Sequence, residues 1–524
     1  YGFDQVIGTL TFGTEGIYGV PAYVSSTYIF LFILFGAFLE QAGMISLFND
    51  FAMGTVGHTR GGPAKVSVVS SGLMGTINGS GVANVVTTGQ FTIPLMKRFG
   101  YSSAFAGGVE ATSSMGGQIM PPVMGAVAFI MAETINVPYI EVCKAALVPA
   151  ILYFCTAFWM VHLEAGRKGL VGLAKEDCPD PWVAVRERWY LLLPLVGLVA
   201  LLFSGYTPLF SGTIGLALTV VLIFGAALLS GVRNMPLRVL FWVLLGFACA
   251  GFLEFGVMTF FVVIAVLVAL MHLRRTGGDA MRLAVNALAE GARHALPVAI
   301  ACTLVGVIIG VINLTGVAAE FGGHIIAIGE KSLFLALVLT MLTCLVLGMG
   351  IPTIPNYIIT SSLAAPVLLQ LGVPLIVSHM FVFYFGIMAD LTPPVALAAF
   401  AASPIAQASG LKIGVQAIRV AAAGFVVPYM AVYAPALMLQ GGTWFDTAYI
   451  VFKAVLAIGL WGAASIGHLQ TRMNWPERIL AATAAGFLIV ALPVTDEIGF
   501  GLGAVFLAWH YWRCRRAVPT DFSR

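Results

Sequence analysis

Apolar stretches long enough to cross a lipid bilayer recur along this chain from residue 27 to residue 512, and hydrophobic residues make up 60% of its 524 positions. Backbone N–H and C=O groups in lipid must be satisfied within the protein, and none of the stretches alternates like a barrel strand. The pattern therefore predicts an all-α polytopic membrane protein. We predict thirteen crossings, near residues 27–47, 104–132, 142–163, 190–204, 212–231, 237–251, 254–273, 295–315, 376–404, 413–438, 447–467, 479–494 and 498–512.

The motifs of common enzymes are absent from the sequence. Seven cysteines and eight histidines are dispersed along the chain, without the spacing of a disulfide framework or a metal site. There is no nucleotide-binding loop, no H-E-x-x-H motif and no Ser/His/Asp grouping. The net charge of +3 is better explained by membrane topology than by an acidic partner. We therefore expect no enzymatic activity and no nucleic-acid partner.

The segment "GTINGSGVANVVTTGQFTIP", residues 75–94, is polar and glycine-rich within this apolar chain. If residues 66–96 and 334–368 enter the membrane and return on the same side, 23 of the 26 basic residues lie on the inner side. Only Lys144, Lys331 and Lys453 then lie elsewhere, with the N-terminus outside and the C-terminus in the cytoplasm. A full crossing by either segment would destroy this positive-inside bias. The charges therefore predict two re-entrant helical hairpins.

The second polar segment, "GMGIPTIPNYIITSSLAAP", repeats the landmarks of the first. Pro94 is followed after six residues by Gly100 and after twenty-seven by Pro121–Pro122. Pro366 is followed at the same distances by Gly372 and Pro393–Pro394. By the charge count the two copies run in opposite directions through the membrane. Inverted-topology repeats of this kind are typical of secondary transporters.

The repeats divide the chain into five predicted parts. These are an N-terminal segment with the first membrane helix (1–65), a first inverted repeat (66–163), scaffold helices with cytoplasmic loops (164–294), a second inverted repeat (295–438) and additional C-terminal membrane helices (439–524).

Helix breaks at membrane depth expose backbone carbonyls and hydroxyls, which suit a hard cation such as Na⁺. Each Pro–Pro pair should unwind its helix opposite a hairpin tip. We predict about two sodium sites. The first has the ligands Asn78, Gly79, Ser80, Gly117, Met120 and Pro121, and the second has Gly350, Thr353, Asp390 and Thr392, with Asp390 ionised.

Substrate is expected between the same breaks, because helix N-termini there present N–H groups to an anion. The predicted substrate-binding residues are Asn78, Ser80, Asn84, Thr87, Gln118, Thr353, Asn356 and Thr392. No Lys or Arg occurs between Lys65 and Lys97 or between Lys331 and Lys412. Glu110 is left open between a functional site and a position near the inner membrane surface.

The runs "GGPAKVSVVSSGLMGTINGSGVANVVTTGQFTIPLMKRFGY", "GGQIMPPVMGAVAFIMAE", "GMGIPTIPNY" and "ADLTPPVALAAFAAS" closely resemble the large membrane subunit of tripartite ATP-independent periplasmic (TRAP) transporters. The similarity is greatest to the TAXI branch and extends over about residues 10 to 440. It implies an elevator-type, sodium-coupled importer of organic acids in a bacterial or archaeal cytoplasmic membrane. The hairpins and their partner helices would then move as a transport domain within the membrane lipid, while 190–273 would belong to the scaffold.

The resemblance also implies two protein partners. One is a soluble extracytoplasmic substrate-binding protein, and the other is a small four-helix membrane subunit, either fused upstream or supplied separately. Acidic outer loops are the expected docking surface for the binding protein; their carboxylates are Asp4, Glu15, Glu133, Glu141, Glu320 and Glu330. A sodium/carboxylate symporter that needs no binding protein and an ion channel are the alternatives.

Overall fold

The structure is a computed structural model that describes residues 2–230, 232, 234–274, 277–329, 332–351, 353–490 and 493–517. Within these ranges the chain is built from helices and contains no β-strand. Five helices are long and apolar enough to cross a membrane, or six if the bent pair Gly410–Val420 and Ala422–Tyr433 is one span. Five shorter apolar helices accompany them. The prediction of an all-α polytopic membrane protein is confirmed.

The described chain divides into two compact units. The first comprises residues 1–21, 49–181 and 301–524, and the second comprises residues 22–48 and 182–300. In chain order the helices are α1 (Phe3–Ile7), α2 (Val20–Val24), α3 (Phe30–Gln41), α4 (Met44–Val56), α5 (Gly62–Gly75), α6 (Gly81–Arg98), α7 (Ser103–Gly116), α8 (Ala126–Thr134), α9 (Tyr139–Lys168), α10 (Pro181–Arg188), α11 (Leu192–Phe203), α12 (Pro208–Leu228), α13 (Met235–Ala250), α14 (Phe252–Phe255), α15 (Met258–Leu273), α16 (Gly278–Thr315), α17 (Val317–Gly329), α18 (Leu333–Leu347), α19 (Thr353–Gln370), α20 (Leu375–Ala389), α21 (Leu397–Ala406), α22 (Gly410–Val420), α23 (Ala422–Tyr433), α24 (Trp444–Ile466), α25 (Trp475–Ile489) and α26 (Pro493–Ala517).

The second unit is held by an apolar core of its own. Phe38 of α3, Phe224 of α12, Phe260 of α15 and Ala287 of α16 are buried in one cluster. The side chains that surround this cluster are also apolar, including Trp242 of α13. Dispersion and close packing therefore stabilise the core of this unit. The assignment of residues 164–294 to a scaffold stays a prediction.

The helices of the first unit repeat with an offset of 272 residues, the separation of Pro94 from Pro366. Helices α6 and α19 have the same length and begin and end at positions that differ by this offset. The pairs α4 and α17, α5 and α18, α7 and α20, and α8 and α21 agree to within one residue at each end. The repeat predicted from three landmarks therefore extends through five helices. The opposite orientation of the two copies in the membrane stays a prediction.

The predicted unwinding at the Pro–Pro pairs is present in both repeats. The predicted crossing 104–132 is interrupted between α7 and α8, and the crossing 376–404 is interrupted between α20 and α21. In each gap the Pro–Pro bond is cis, and a residue two positions later has positive φ, Met124 at 59° and Ala396 at 41°. Prolines lack the N–H that would continue the helix.

Three other predicted crossings differ from the observed helices in where they begin, end or bend. The first was placed at 27–47, but helical structure runs over Val20–Gln41 and ends at a turn where Gly43 has φ +98°. The crossing at 295–315 is the second half of the longer helix α16, and 413–438 is bent by 44° between α22 and α23. Hydropathy locates apolar sequence and does not detect where a helix turns or continues into polar sequence.

The last three helices form a bundle with ionic contacts at two places. Lys453 of α24 lies 2.9 Å from a carboxylate oxygen of Asp496 on α26, and Tyr449 donates a hydrogen bond of 2.8 Å to the same carboxylate. In α25 the buried Glu477 pairs with Arg513 at 2.9 Å. In the predicted topology, Lys453 is only an exception to the positive-inside bias. The structure shows instead that it is a buried partner of Asp496.

Replacing Lys453 with Ala should destabilise this bundle, because Asp496 would remain largely buried without its cation. The expected loss is about 3 kcal/mol, within the range for broken buried ion pairs. Thermal unfolding of the purified protein in detergent would measure it. The matched control is the double variant Lys453→Met with Asp496→Leu, which should melt close to the unmodified protein; an equal loss in both variants would show that the pair itself is not the cause.

Candidate functional site

The first hairpin consists of α5 and α6, which pack against each other and are joined by residues 76–80. The Asn78 side-chain oxygen accepts a 3.0 Å hydrogen bond from the Ser80 backbone N–H. The Ser80 hydroxyl then accepts a 3.4 Å bond from Ala83 N–H and caps α6. Asn and Ser favour such local bonds over helix continuation. The polar tip predicted from the sequence is therefore a turn followed by a capped helix N-terminus.

This tip packs directly on the broken segment after α7. A Cβ atom on Gly79 would overlap the carbonyl oxygen of Met124 and would lie 2.6 Å from Gly125 Cα. A Cβ on Gly75 would overlap Gly117 in the same way. Only glycine allows backbones to approach so closely. The structure thus brings together Gly79 and the unwound segment, as the sequence predicted.

Within that segment, backbone bonds already use part of the carbonyl capacity. The Gly117 carbonyl accepts the Met120 N–H at 3.2 Å, and the Met120 carbonyl accepts the Met124 N–H at 3.2 Å. A carbonyl oxygen has a second lone pair and can still contact a cation. The assignment of Gly117, Met120 and Pro121 as sodium ligands stays a prediction.

The predicted substrate residues of the first repeat fall into different environments. Asn84 is buried, and its amide donates a 3.3 Å bond to the Ser71 carbonyl across the hairpin. Gln118 is also buried, with its amide 3.5 Å from the Met115 sulfur. The Thr87 hydroxyl instead bonds to the carbonyl of Ala83 in its own helix, at 2.8 Å. Ser80 is exposed at the tip.

The second hairpin, α18 and α19, meets α20 at a buried carboxylate. Asp390 is 2% exposed and accepts a 2.6 Å bond from the Thr353 hydroxyl. The buried Asn356 donates a 3.2 Å bond to Gly386 O. Among the described residues, neither the second Asp390 oxygen (Oδ1) nor the Asn356 side-chain oxygen has a hydrogen-bond partner. Thr353 and Asp390 therefore come together as predicted, and Asn356 contacts α20 four residues before Asp390.

The two unpartnered oxygens are what a cation site requires. Buried acceptors without partners are unfavourable unless a donor or an ion approaches them, and hard cations prefer carboxylate and amide oxygens. Thr392 and Gly350 are less clearly placed in such a site. The Thr392 hydroxyl bonds to Met388 O at 2.7 Å, and Gly350 has φ +77° near Val395.

Gly348 was not predicted and belongs to the same site. A Cβ on it would overlap the Asn356 amide nitrogen and would lie 2.6 Å from Ala389 Cβ. Its role follows from packing between α19 and α20, and no pattern in the sequence separates it from Gly350.

The sequence does not decide the role of Glu110, and the structure shows which groups surround it. Glu110 is fully buried in α7 and accepts bonds from Ser67 at 2.7 Å, Ser114 at 3.0 Å and Ser71 at 3.4 Å, together with Thr88 and Thr92. These pairs follow a detectable rule: Ser67 and Ser71, Thr88 and Thr92, and Glu110 and Ser114 are each four residues apart. Such spacing places both members on one helix face.

The two repeats pack against each other within the first unit. Helix α7 contacts α21 and α22, and α6 contacts α21. Thr112 donates a 3.0 Å bond to Ala417 O, and Lys97 donates a 3.0 Å bond to Ala406 O. The hairpins and broken helices of both halves therefore belong to one packed body.

The sequence matches one protein family and several individual proteins of the same kind. The family described as "Tripartite ATP-independent periplasmic transporter, DctM component" matches residues 14–231 and 224–443. The chain is 30% identical over 179 residues to the C4-dicarboxylate TRAP transporter large permease protein DctM of Pseudomonas aeruginosa, covering 34% of this chain and 41% of that protein.

Two other relatives are similar over stretches of comparable length. The sialic acid TRAP transporter large permease protein SiaM of Vibrio cholerae is 27% identical over 178 residues, 34% of this chain and 41% of that protein. The 2,3-diketo-L-gulonate TRAP transporter large permease protein YiaN of Escherichia coli is 24% identical over 184 residues, 35% and 43% of the two chains. The aligned stretch thus spans about four-tenths of the length of each of these relatives.

Replacing Gly79 with Ala should disrupt the contact between the first hairpin tip and the broken helix. The added methyl group overlaps backbone atoms, which cannot move aside as a side chain can. We expect a loss of about 2 kcal/mol, typical of overpacking, measured by thermal unfolding in detergent. Gly486→Ala in α25, where a Cβ meets nothing within 4 Å, is the matched control and should not lower the melting temperature. Equal melting temperatures for the two variants would contradict the contact.

Proposed function

The chain belongs to the family of DctM components of tripartite ATP-independent periplasmic transporters, and on that premise we propose that it is the permease of a sodium-coupled organic-acid importer. One observation above all supports the proposal: two hairpins, repeated at a fixed offset, each face a broken helix. In transporters, paired breaks of this kind form the binding sites for substrate and coupling ions.

Sodium is proposed to bind at both breaks as a co-transported ion. At the second, Asp390 supplies the negative charge, and Thr353 and the free Asn356 oxygen provide further ligands. At the first, the carbonyls around Gly79 and Gly117 supply dipoles without a formal charge. The first site is therefore expected to bind Na⁺ more weakly than the second.

The substrate is proposed to be a small organic acid held without a basic side chain from the hairpins. The N-terminus of α6, capped by Ser80, presents free N–H groups at one tip, and α19 begins at Thr353 at the other. Helix N-termini bind carboxylates by this arrangement. Bound Na⁺ beside them would strengthen the attraction.

Binding of Na⁺ and substrate at these breaks is proposed to permit movement of the packed repeats as an elevator. Each hairpin covers its break on one side. The movement would therefore expose the site alternately to the two faces of the membrane. We also propose the TAXI-type assignment, in which an extracytoplasmic binding protein delivers substrate and a four-helix membrane subunit completes the permease.

Uptake into proteoliposomes tests this function directly. The permease is reconstituted with a four-helix subunit, and ligand is supplied either free or on a candidate binding protein. Import that needs both the binding protein and an inward sodium gradient supports the proposal. Import of free ligand would favour a symporter that needs no binding protein, and sodium conductance without ligand would favour a channel.

Replacing Asp390 with Asn should weaken sodium binding strongly, because the amide has the carboxylate's shape without its charge. Ligand binding stabilises a protein by about 2.7 kcal/mol at one hundred times its dissociation constant. The unmodified permease should therefore melt at a higher temperature in NaCl than in KCl, and the Asn variant should lose most of this difference. Glu290→Gln, at a half-exposed pair with Arg293, is the control. An unchanged response to sodium in the Asn variant would place the ion elsewhere.

Reversing the outer carboxylates to Lys should slow uptake from the binding protein. Asp4, Glu15, Glu133 and Glu320 are exposed, whereas Glu141 already pairs with Lys144 at 2.8 Å and Glu330 lies outside the described residues. We expect about a tenfold slower initial rate at low salt and a weaker dependence on ionic strength, because exposed charges act mainly on encounter. Sodium-dependent melting should stay unchanged. Normal uptake at low salt would mean that docking uses uncharged surfaces.

A further inference from the structure

The Glu110 cluster is separate from the proposed sodium ligands and is the most polar buried group of the first repeat. One carboxylate receives hydrogen bonds from five hydroxyls on α5, α6 and α7. We call this arrangement the Glu110 cage; its members are Glu110, Ser67, Ser71, Thr88, Thr92 and Ser114. All six residues are buried.

Among the described residues, no basic side chain pairs with Glu110. The charged and titratable groups on the elements packed against α7 have other partners or lie at helix ends. Lys65 bonds to Thr59 and His162, Lys97 to Ala406 and Gln407, Glu164 to Arg167 and Lys168, Arg419 to Gln416 and Ser465, and Tyr153 to Thr112, while Arg98 and Lys412 are exposed. Within the described part of the chain, the Glu110 carboxyl group is therefore held by neutral hydroxyls.

The second repeat shows that this helix packing does not require a carboxylate. At the offset of 272 residues, Glu110 corresponds to Val382, Ser67 to Leu339 and Thr92 to Ala364. Helices α18, α19 and α20 nevertheless pack together as α5, α6 and α7 do. A buried carboxylate is costly in an apolar setting, so its presence in one repeat only points to a role beyond packing.

We propose that the Glu110 cage is a proton-binding site of the transport body, distinct from the two sodium sites. The carboxylate takes one proton from water and becomes a neutral acid, and it releases the proton again as the same group. No other bond is made or broken. A proton fits the cage better than Na⁺, because hydroxyls already contact both Glu110 oxygens and a metal ion would have to displace them.

Protonation would change the hairpin through Thr88. This hydroxyl lies between Glu110 and Asn84, 2.8 Å from the Asn84 carbonyl and 3.2 Å from its side-chain oxygen. Asn84 in turn bonds to Ser71 O and lies beside Gly117 at the helix break. A neutral acid donates one hydrogen bond where the carboxylate only accepted, so at least one hydroxyl must reorient. The charge of Glu110 is thereby linked to the position of the break.

Infrared spectroscopy can detect this proton without a known substrate. The full chain is purified in an ester-free detergent, and pH-difference spectra are recorded between about pH 5 and pH 9, where exposed carboxyls with pKa near 4 stay ionised. Because Asp390 is a second buried carboxyl, the spectra are recorded in the Asp390→Asn background, which removes its band. We expect a titrating C=O band of a protonated carboxyl in that variant, and adding Glu110→Gln should abolish the band. A band that survives in the double variant, or no titrating band in Asp390→Asn, would overturn the proposal.

A second variant covers the case in which Glu110→Gln does not fold. Thr92→Val keeps the side-chain shape and removes one donor to the ionised carboxylate, which favours the neutral acid. The midpoint of the same band should move to higher pH, and an unchanged midpoint would overturn the proposal.

Exchanging KCl for NaCl separates this site from the sodium sites. At fixed pH the carboxyl band should not change, and its loss on adding sodium would make Glu110 a sodium ligand and end the proton assignment. Because none of these measurements uses transport, their failure would leave the proposed function standing. Failure of sodium-driven uptake would likewise leave the infrared result unaffected.

Discussion

Irregular backbone within a membrane protein must be covered by other protein, and this requirement shapes the whole first unit. Two helices are broken near Pro–Pro pairs, and each break is faced by a hairpin whose own tip is irregular. In the first repeat the two irregular segments pack directly on each other, so that each covers part of the other's backbone. The glycine contacts at Gly75 and Gly79 make this possible, since they let the two chains meet without side chains between them.

The same architecture has been used twice with different chemistry. Asn84 and Thr88 of the first hairpin correspond to Asn356 and Thr360 of the second. In both hairpins the threonine hydroxyl lies within 2.8 Å of the backbone carbonyl oxygen of the asparagine. The carboxylates do not correspond, because Asp390 aligns with Gln118 and Glu110 aligns with Val382. One repeat therefore has its buried carboxyl group at the break, and the other has it between the helices. The halves share a fold and differ in where each places this group.

Much of this architecture could be predicted from the sequence because its signals are local. Proline pairs, glycine tips and apolar runs act within a few residues, and three landmarks at two equal spacings were enough to identify the repeat. The meeting of Thr353 with Asp390 also followed, since the repeat fixes which helix faces which hairpin. What could not be predicted depends on contacts between distant segments. The partners of Lys453 and the enclosure of Glu110 are set by tertiary packing, and in the sequence both look like ordinary polar residues.

The glycine-to-backbone contacts also bear on how this protein tolerates mutation. Every substitution of a glycine adds at least a Cβ atom, so at Gly75 and Gly79 no amino-acid replacement is sterically neutral. Surface and lipid-facing positions, by contrast, accept many side chains of similar polarity. Inherited variation should therefore be depleted at the codons of these two glycines, for a purely steric reason.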